Sequence, residues 1–418
     1  MARAQGARAL MALAFETTYG TPPASGFARM PFASTSLGAE QPLMNSELLG
    51  YGRDPLAPVK DAVTVDGDVV VSLDAEAFGF WLRAAFGAPV TTSTAATGTI
   101  AFAANPTEGD TITLGGVTWS FVDDSPGTGE TAISGTLSAT LAALVSDLNG
   151  SADPEVGKAS YSNPLGTDEL LITFDSAGTS GNAFTIAASA ATASGPQLTG
   201  GGRIHSFQSG SWTLPSMSIE TGMPEVPRYA MYSGCVLDQL TWQMQRSGLL
   251  TATARLVAQG ETVGTTTSAG TPAALELKRF GHFNGAITRN GSALGNVVSA
   301  EITYANNLDR IETIRSDGRI DGADPSIAAL TGRIEVRFAD QTLVTQAING
   351  EACEMEFAYV LPSGESFTFT VHAVYLPRPR IEISGPQGVQ ASFDWQAARD
   401  SAVGRMCTAT LINDIEEY

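Results

Sequence analysis

The sequence of 418 residues is poor in cysteine, histidine and lysine, with only three residues of each type. Cys235, Cys353 and Cys407 are odd in number and far apart, so they predict neither a disulfide framework nor a zinc site. The three histidines are equally isolated along the chain. These shortages remove disulfide-stabilised small domains and His/Cys metal centres from consideration.

Basic charge is scarce as well, because 23 Lys and Arg face 43 Asp and Glu and give a formal net charge of −20. Binding to phosphates needs clustered Lys and Arg, so a basic nucleic-acid-binding protein is excluded. No apolar run approaches the ~20 residues that cross a bilayer. The apolar stretch 9–15 is too short for a signal peptide. We therefore expect a soluble protein, made in a cytoplasm, with two or three domains.

What the chain does contain is apolar sequence with a period of two residues. In 238–246, Leu240, Trp242 and Met244 alternate with polar residues. Such alternation is typical of half-buried antiparallel strands. We predict a mainly β (α+β) fold, with antiparallel β-sandwich or barrel domains and a flanking helix in each. The same pattern recurs in residues 250–258, 332–338, 353–359, 367–373 and 389–395.

Two segments have helical periodicity, and one of them lies in a region of different composition. A helix is predicted from Asp74, as its N-cap, to Phe86, and a second from Leu137 to Asn149. Between residues 95 and 202, 11 Asp and Glu face a single Lys, a net of −10, or half of the charge of the whole chain. Small residues flank this region on both sides. It is predicted to be an acidic α+β accessory domain inserted at an exposed loop.

The remaining sequence contains an internal repeat. An offset of 265 residues aligns 67–73 with 332–338, and both segments begin with glycine. The order strand, long loop, strand, helix, strands and closing hairpin then occurs twice. This repeat predicts a discontinuous first domain, a linker and a second domain, at residues 1–94 with 203–262, 263–272 and 273–418, respectively.

Several of these segments together resemble a known family. They are residues 233–237 (SGCVL), 239–245 (QLTWQMQ), 247–253 (SGLLTAT), the strand–helix unit 67–87 and the closing hairpin of the second half. In these features the chain resembles the major tail tube proteins of long-tailed, siphovirus-type bacteriophages. The resemblance covers roughly 1–94 and 203–418, and the region between is similar to small accessory modules of phage virion proteins.

The resemblance implies a structural virion subunit that is not an enzyme and needs no cofactor. Its partners would be copies of itself in stacked rings, other tail proteins at the tube ends, and viral DNA that passes through without specific binding. No membrane is involved. Because a typical subunit has one tube domain and forms hexameric rings, two domains imply a homotrimeric ring with pseudo-sixfold symmetry. A homohexamer is the alternative.

The resemblance also implies two kinds of functional residue. Polar strand faces are candidates for an anionic channel wall, namely Gln239, Thr241, Gln243, Gln245, Glu301, Ser392 and Asp394. Three segments that mix Arg with Asp or Glu and that we expect to bury little by themselves are candidates for ring stacking: 3–19, 38–62 and 306–330. Their charged residues include Arg3, Arg8, Arg53, Asp54, Arg315, Asp317, Arg319 and Asp321.

No motif for catalysis was found. There is no Gly-x-Ser-x-Gly elbow, and Gly157-Lys158 lacks the flanking glycine and hydroxyl residue of a phosphate loop. The acidic loop 317–324 does not follow the EF-hand spacing, so we predict a solvated loop. Trp119, Trp212, Trp242 and Trp395 occupy strand-like positions and are predicted to pack in cores. Two other functions stay open: a carbohydrate-binding adhesin of the tail, and a hydrolase whose acid pair only folding brings together.

Overall fold

The structure is a computed structural model, and it describes residues 3–381, 383, 385 and 388–418. Within these residues the chain forms 31 strands and three α-helices. Nearly all strand pairs are antiparallel; β-ladder pairing between residues 120–122 and 130–132 is parallel. The predicted mainly β fold is confirmed. No α-helix in the described part of the chain is long and apolar enough to cross a membrane.

In the first segment of the chain, the helix begins later than predicted. Asp74 does not cap the helix but accepts hydrogen bonds from the N–H groups of Glu76 and Ala77 in a preceding turn, so the helix begins four residues after Asp74. Gly87, with φ of 92°, ends it. The elements are β1 (Leu10–Phe15), β2 (Ala28–Arg29), β3 (Phe32–Thr35), β4 (Gly38–Glu40), β5 (Leu43–Met44), β6 (Val59–Lys60), β7 (Thr64–Ser72), α1 (Phe78–Phe86) and β8 (Val90–Thr94).

The acidic region folds around a hydrophobic cluster of its own. Two four-stranded sheets and one helix enclose this cluster. The helix has the predicted bounds because the Thr136 hydroxyl accepts a hydrogen bond from the Ala139 N–H and caps its first turn. The elements are β9 (Thr97–Ala101), β10 (Thr111–Leu114), β11 (Val117–Val122), β12 (Glu130–Ala132), α2 (Leu137–Asn149), β13 (Ala159–Ser162), β14 (Glu169–Phe174), β15 (Ile186–Ala188) and β16 (Thr192–Ala193).

In the rest of the chain, nearly all of the regular elements are strands. One strand of 17 residues is by far the longest. The elements are β17 (Gly202–Gln208), β18 (Met217–Met223), β19 (Arg228–Met244), β20 (Thr251–Ala258), β21 (Gly260–Gly264), β22 (Gly285–Arg289), β23 (Ser292–Ala293), β24 (Val297–Ala305), β25 (Asp309–Ile311), β26 (Gly322–Asp324), β27 (Ala329–Arg337), α3 (Thr342–Asn349), β28 (Cys353–Val360), β29 (Ser366–Tyr375), β30 (Gln390–Ala397) and β31 (Cys407–Asn413).

Two groups of strands share one pairing pattern. Strands β3 and β4 pair with β7, and β24 pairs with β27, in registers that differ by 265 residues. Both ladders are irregular at the same place, directly after the pair Phe32–Val71 in one group and Val297–Val336 in the other. The next strand pairs of the two groups correspond as well. In the first group β7 pairs with β20, and in the second β27 pairs with β30. The repeat read from the sequence therefore extends to individual strand pairs and to a β-bulge.

These two groups join into one sheet. The second part of β19 pairs with β20 on one side and with β24 on the other. The resulting order is β3/β4–β7–β20–β19–β24–β27–β30, which we call the long sheet. The first part of β19 leaves this sheet and pairs with β18 and β21. A single strand thus belongs to both layers of the molecule.

The remaining strands form a second layer on the buried face of the long sheet. It consists of β1, β2, β18 and β21 with the start of β19, and of β22, β28, β29, β31, β17 and β8. Aromatic side chains fill the space between the layers: Trp242 packs edge-on against Phe369 at 4.9 Å, and Phe86 of α1 lies 4.5 Å from Tyr304. The acidic region is attached to the hairpin of β8 and β17, where Thr94 pairs with Gly202.

A buried ion cluster joins segments of this core that are far apart in the sequence. The Lys278 ammonium lies 3.3 Å from Glu76, 2.9 Å from Glu365 and 2.8 Å from Asp414. Glu76 and Glu365 are buried, and the Lys278 side chain is only 18% exposed. Although burial favours the neutral amine, hydrogen bonds to Asp414 and Glu365 raise the pKa of Lys278 above its ordinary value.

Two predictions about side-chain burial are wrong. Trp212 is 74% exposed, whereas the other three tryptophans named above are buried. The strand β17 ends at Gln208, so the alternation around Trp212 continues past the sheet. The segment 3–19 was predicted to bury little by itself, but residues 11–14 are buried in β1, which pairs with β18.

Removal of residues 97–200 should leave the remaining chain folded. Thr94 and Gly202 are paired residues of adjacent strands, so their Cα atoms are about 5 Å apart and a short Gly-Ser link can join them. The separate hydrophobic cluster of the deleted part predicts a loss of no more than about 1–2 kcal/mol, or a few °C in Tm. Circular dichroism and thermal unfolding would check this. An unfolded product would show that the two cores depend on each other.

Candidate functional site

The seven residues predicted to line a channel lie on one face of the long sheet. In β19, Gln239, Thr241 and Gln243 point away from the core, while Leu240 and Trp242 between them are buried. The alternation continues through β24 and β30, so Glu301, Ser392 and Asp394 share that face. Gln245 follows β19, and its side-chain amide donates to Gln243 at 2.6 Å.

Charged groups form a row across this polar face. Gln243, Glu301, Arg333 and Asp394 are consecutive partners on four adjacent strands. The Gln243 amide donates to Glu301 at 3.3 Å, and the Arg333 guanidinium lies 3.8 Å from Asp394. Arg333 also lies 3.3 Å from Glu335 on its own strand. Cross-strand pairing of opposite charges stabilises the sheet while every group stays accessible to water.

The other group of strands carries the same kind of pair with its signs exchanged. Asp68 and Arg255 are partners at the positions that Arg333 and Asp394 occupy in the second group. Arg255 lies 4.0 Å from Asp238 as well. Over the strands of the long sheet, the polar face carries seven carboxylates and three guanidinium groups, a net of −4: Glu40, Asp66, Asp68, Asp238, Glu301, Glu335 and Asp394 against Arg255, Arg333 and Arg337.

The polar face has no catalytic arrangement. A wide depression of about 690 Å³ lies over Glu301, Arg333, Asp394 and Gln396 and opens to solvent. Its charged side chains are exposed and paired, unlike the desolvated acids and bases of active sites. Burial raises the pKa of Cys407 to about 12, so this thiol stays protonated and inert. In the part of the chain that the structure describes, no group of His, Cys, Asp or Glu could hold a metal ion.

Comparison with known families agrees with this architecture. A family model described as phage tail tube protein matches residues 6–397. The chain belongs to the phage tail tube protein family. A search of the curated proteins finds no match. As a tail tube protein it is a structural component of the virion, in a family of assembly proteins and not of enzymes. It therefore assembles with copies of itself and contacts other tail proteins.

The acidic loop lies in a segment that is predicted to stack tail tube rings. Its charged side chains are paired within the chain. The Arg315 guanidinium lies 3.0 Å from Asp317 and 2.7 Å from Asp321. The hydrogen bonds that Asp317 accepts from Arg315 lower the pKa of the Asp317 carboxyl to about 2. Arg319 donates to the Glu261 carbonyl oxygen at 3.4 Å. Because these charges are already paired within the chain, fewer of them are available for contacts with a neighbouring ring than the composition of the loop suggests.

The other charged stacking candidates are exposed, and they do not meet one another. Arg8 forms an ion pair with Glu225 at 3.1 Å, and Arg3 lies on the surface five residues before it. Arg53 and Asp54 lie on the surface of the long connection between β5 and β6. The structure therefore brings together only the set from the acidic loop.

Sequence reasoning missed an exposed apolar surface on residues 41–62 of this tail tube protein, which we call the β5–β6 loop. Leu48, Leu49 and Tyr51 are 68%, 93% and 69% exposed. Leu43, Met44 and Val59 on the short hairpin β5–β6 are exposed as well. Contiguous exposed apolar residues usually mark an interaction site. The apolar run 43–51 (LMNSELLGY) was visible in the sequence, but the prediction for this segment rested on its charged residues.

Proposed function

We propose that the chain is a tail tube subunit with two tandem tube domains and an inserted accessory domain. The first tube domain comprises 1–94 and 203–262, the accessory domain 95–202, and the second tube domain 273–418 after the linker 263–272. The equal strand registers and the shared bulge of the two groups support the duplication. Three such chains form a ring with pseudo-sixfold symmetry, and stacked rings form the channel for genome DNA in a siphovirus-type tail.

The observation that carries this proposal is the joint between β19 and β24. It connects the two groups of strands edge to edge with all partners in register. Repetition of the same joint around an axis would close the long sheets into a β wall without free edges, which removes the aggregation risk of exposed strands. A ring of three chains would contain six groups of strands.

The polar face of the long sheet is our candidate for the channel wall. Its net of −4 per chain, with Gln, Ser and Thr between the charges, would repel phosphate weakly and offer no cluster of cations to hold it. Since the Debye length is about 8 Å at physiological salt, the wall charges act on DNA only at short range. A mildly anionic wall suits passage without binding.

The β5–β6 loop is our candidate for stacking one ring on the next. Closed rings need a heterologous contact along the axis to build a tube. The loop lies at one end of the long sheet, next to the start of β7, and exposes apolar residues that would become buried on stacking. The accessory domain would project outward, since its hairpin β8–β17 belongs to the layer opposite the polar face.

Charge reversal on the polar face tests the channel role. We expect Glu301→Arg with Asp394→Arg to slow DNA ejection several-fold, because these changes surround Arg333 with two further cations and create a phosphate-binding patch. Asp123→Arg with Asp124→Arg, in the accessory domain, is the matched control. Ejection from phage particles with tails of normal length is the measurement. An unchanged rate would place this face outside the channel.

Electron microscopy and mass measurement of the purified protein test the assembly. We expect rings or tubes with six similar lobes around the axis and three chains per ring. Rings of six chains would contradict the proposed stoichiometry. A protein that stays monomeric and binds or cleaves polysaccharide would instead favour the adhesin or hydrolase alternatives.

A further inference from the structure

Each group of strands carries one long loop at the same end of the long sheet. The β5–β6 loop precedes β7, and residues 306–327, which we call the β25–β26 loop, precede β27 in the same way. Met44 pairs with Val59 in the hairpin of the first loop. In the other hairpin, 265 residues later, Asp309 pairs with Asp324. The two loops are therefore equivalent parts of the repeat and have equal length.

The β25–β26 loop is held by the first group of strands of its own chain. It lies on the end of the sheet where β7 begins and β20 ends. The contacts are an ion pair of Arg310 with Asp66 at 2.5 Å, a hydrogen bond from the Val63 N–H to the Gly318 carbonyl oxygen at 2.8 Å, and one from Arg319 to the Glu261 carbonyl oxygen at 3.4 Å. A Cβ atom on Gly260 would touch the same Arg319 guanidinium. The loop thus bridges from the second group to the first.

The equivalent β5–β6 loop has no such support. Except for Ser46, each of its residues is exposed. Asn45 occupies the position that Arg310 has in the other loop, and Asp54 occupies the position of Arg319. In the described part of the chain, neither Asn45 nor Asp54 has a hydrogen-bond or ion-pair partner. Since the first group lies at one end of the long sheet, the chain has no group of strands on which this loop could lie.

The second group contains the positions that correspond to this missing support. The strands β20 and β30 both have eight residues and pair with equivalent residues of β7 and β27, at an offset of 139 residues. Arg399 therefore occupies the position of Gly260, two residues after the end of its strand, and Thr331 occupies that of Asp66. Both Arg399 and Thr331 are exposed. The Arg399 Nε donates to the Gly404 carbonyl oxygen at 2.8 Å, which fixes the guanidinium at the surface.

We propose that the β5–β6 loop of one chain lies on the second group of strands of the next copy in the same ring, with Asp54 beside Arg399 and Asn45 beside Thr331. The contact depends on the ring proposed above, and it identifies two surfaces through which neighbouring copies recognise each other. It repeats between chains the arrangement that the β25–β26 loop has within one chain.

The side chains at both contacts change together. Where the chain places an arginine against Asp66, two copies would bring together an amide and a hydroxyl, which can form a hydrogen bond. Where the chain places Arg319 beside a glycine, two copies would place Asp54 beside Arg399, with opposite charges. If the β25–β26 loop lay on the second group instead, Arg319 would meet Arg399 with like charge. The sequence thus favours the β5–β6 loop at this place.

The tip of the loop stays available for stacking. Leu49 is 93% exposed, and its equivalent Ile314 is fully exposed even though the β25–β26 loop is held at its sides. The sides of the β5–β6 loop would therefore bind within a ring, while its apolar tip faces the next ring.

Cross-linking through cysteines tests the contact directly. With a short bifunctional thiol reagent, Asp54→Cys with Arg399→Cys should convert assembled rings into covalent trimers on a denaturing gel, because three such contacts close on themselves. A ladder that continues beyond the trimer would overturn the proposal, since the loop would then join different rings. Asp123→Cys with Arg399→Cys is the matched control and should stay monomeric, because Asp123 is exposed on the accessory domain. The native cysteines are buried and do not compete.

Charge exchange provides a second test without a reagent. Asp54→Arg should raise the concentration needed for ring formation about tenfold, because it meets Arg399 with like charge, and adding Arg399→Asp should restore it. Asp123→Arg is the control and should leave this concentration unchanged. Rings that form normally but give no cross-linked trimer would overturn this contact while leaving the ring intact. A protein that forms no rings at all would refute the contact together with the proposed function.

Discussion

Replacing Lys278 by methionine should destabilise the protein by about 3–5 kcal/mol at pH 7, because it removes the cation from buried carboxylates. Glu76 and Glu365 are only 3% and 8% exposed, and Lys278 lies within 3.3 Å of both. Methionine fills most of the space of the lysine stem, so packing is largely kept. Most of the loss therefore comes from charges that remain buried without a partner.

The loss should depend on pH in a defined direction. The pKa of Lys278 is raised, so its stabilising effect is complete below its ordinary pKa of 10.5 and is lost only as the pH rises above that value. The wild type therefore keeps this contribution throughout pH 5–8. In the variant, burial raises the pKa of both carboxyl groups, and Glu76 already has a raised pKa in the wild type. The difference between the two proteins should shrink as the pH falls from 7 towards 5.

Urea unfolding at pH 7 and pH 5 would measure the effect. Lys158→Met is the matched control, because Lys158 lies on the surface, where it pairs with Glu155. Such a surface pair contributes about 0–1 kcal/mol. If both variants unfolded at the same urea concentration, the ion cluster would have no structural role.

Alanine at Gly332 should cost about 3 kcal/mol, at the upper end of the range for overpacking. A Cβ atom there would overlap the Glu301 carbonyl oxygen and the Trp395 indole. The first group repeats this arrangement, because a Cβ atom on Gly67 would lie 2.6 Å from the Ser36 carbonyl oxygen. Backbone atoms cannot rotate away, so the neighbouring strand must move and its hydrogen bonds weaken.

Gly67→Ala should be at least as costly, since Gly67 has φ of 147°, a conformation that favours glycine. Gly295→Ala is the control, because a Cβ atom at that position meets nothing within 4 Å. The measurement is the midpoint of denaturant unfolding with an unchanged m-value. A Gly332→Ala protein as stable as Gly295→Ala would show that the strands separate without cost.

The pair of glycines explains why the repeat was visible in the sequence. Gly67 and Gly332 were the first residues of the aligned segments, and each occupies a place where a neighbouring backbone leaves no room for a side chain. The strands could be predicted because alternation follows from burial of one face. The polar residues of β19, β24 and β30 could be assigned to a common kind of face for the same reason.

Other features could not be predicted, for physical reasons. A period of two residues says which face is buried but not which strand is the neighbour, so the pairing of β19 with β24 was not visible. The Lys278 cluster joins Glu76 and Asp414, which are far apart in the sequence. The segment 38–62 was predicted to bury little, but the apolar surface of its β5–β6 loop was not predicted, since apolar residues outside a periodic pattern look the same whether they are buried or not.

The 17 residues of β19 have a mechanical consequence. Because this strand begins in one layer and ends in the other, its covalent backbone resists sliding of the layers over each other. Each half of β19 is hydrogen-bonded on both sides, so a shear force has to break several ladders at once. A tube of such subunits is stiff within each subunit, and its bending is taken up by the contacts between subunits.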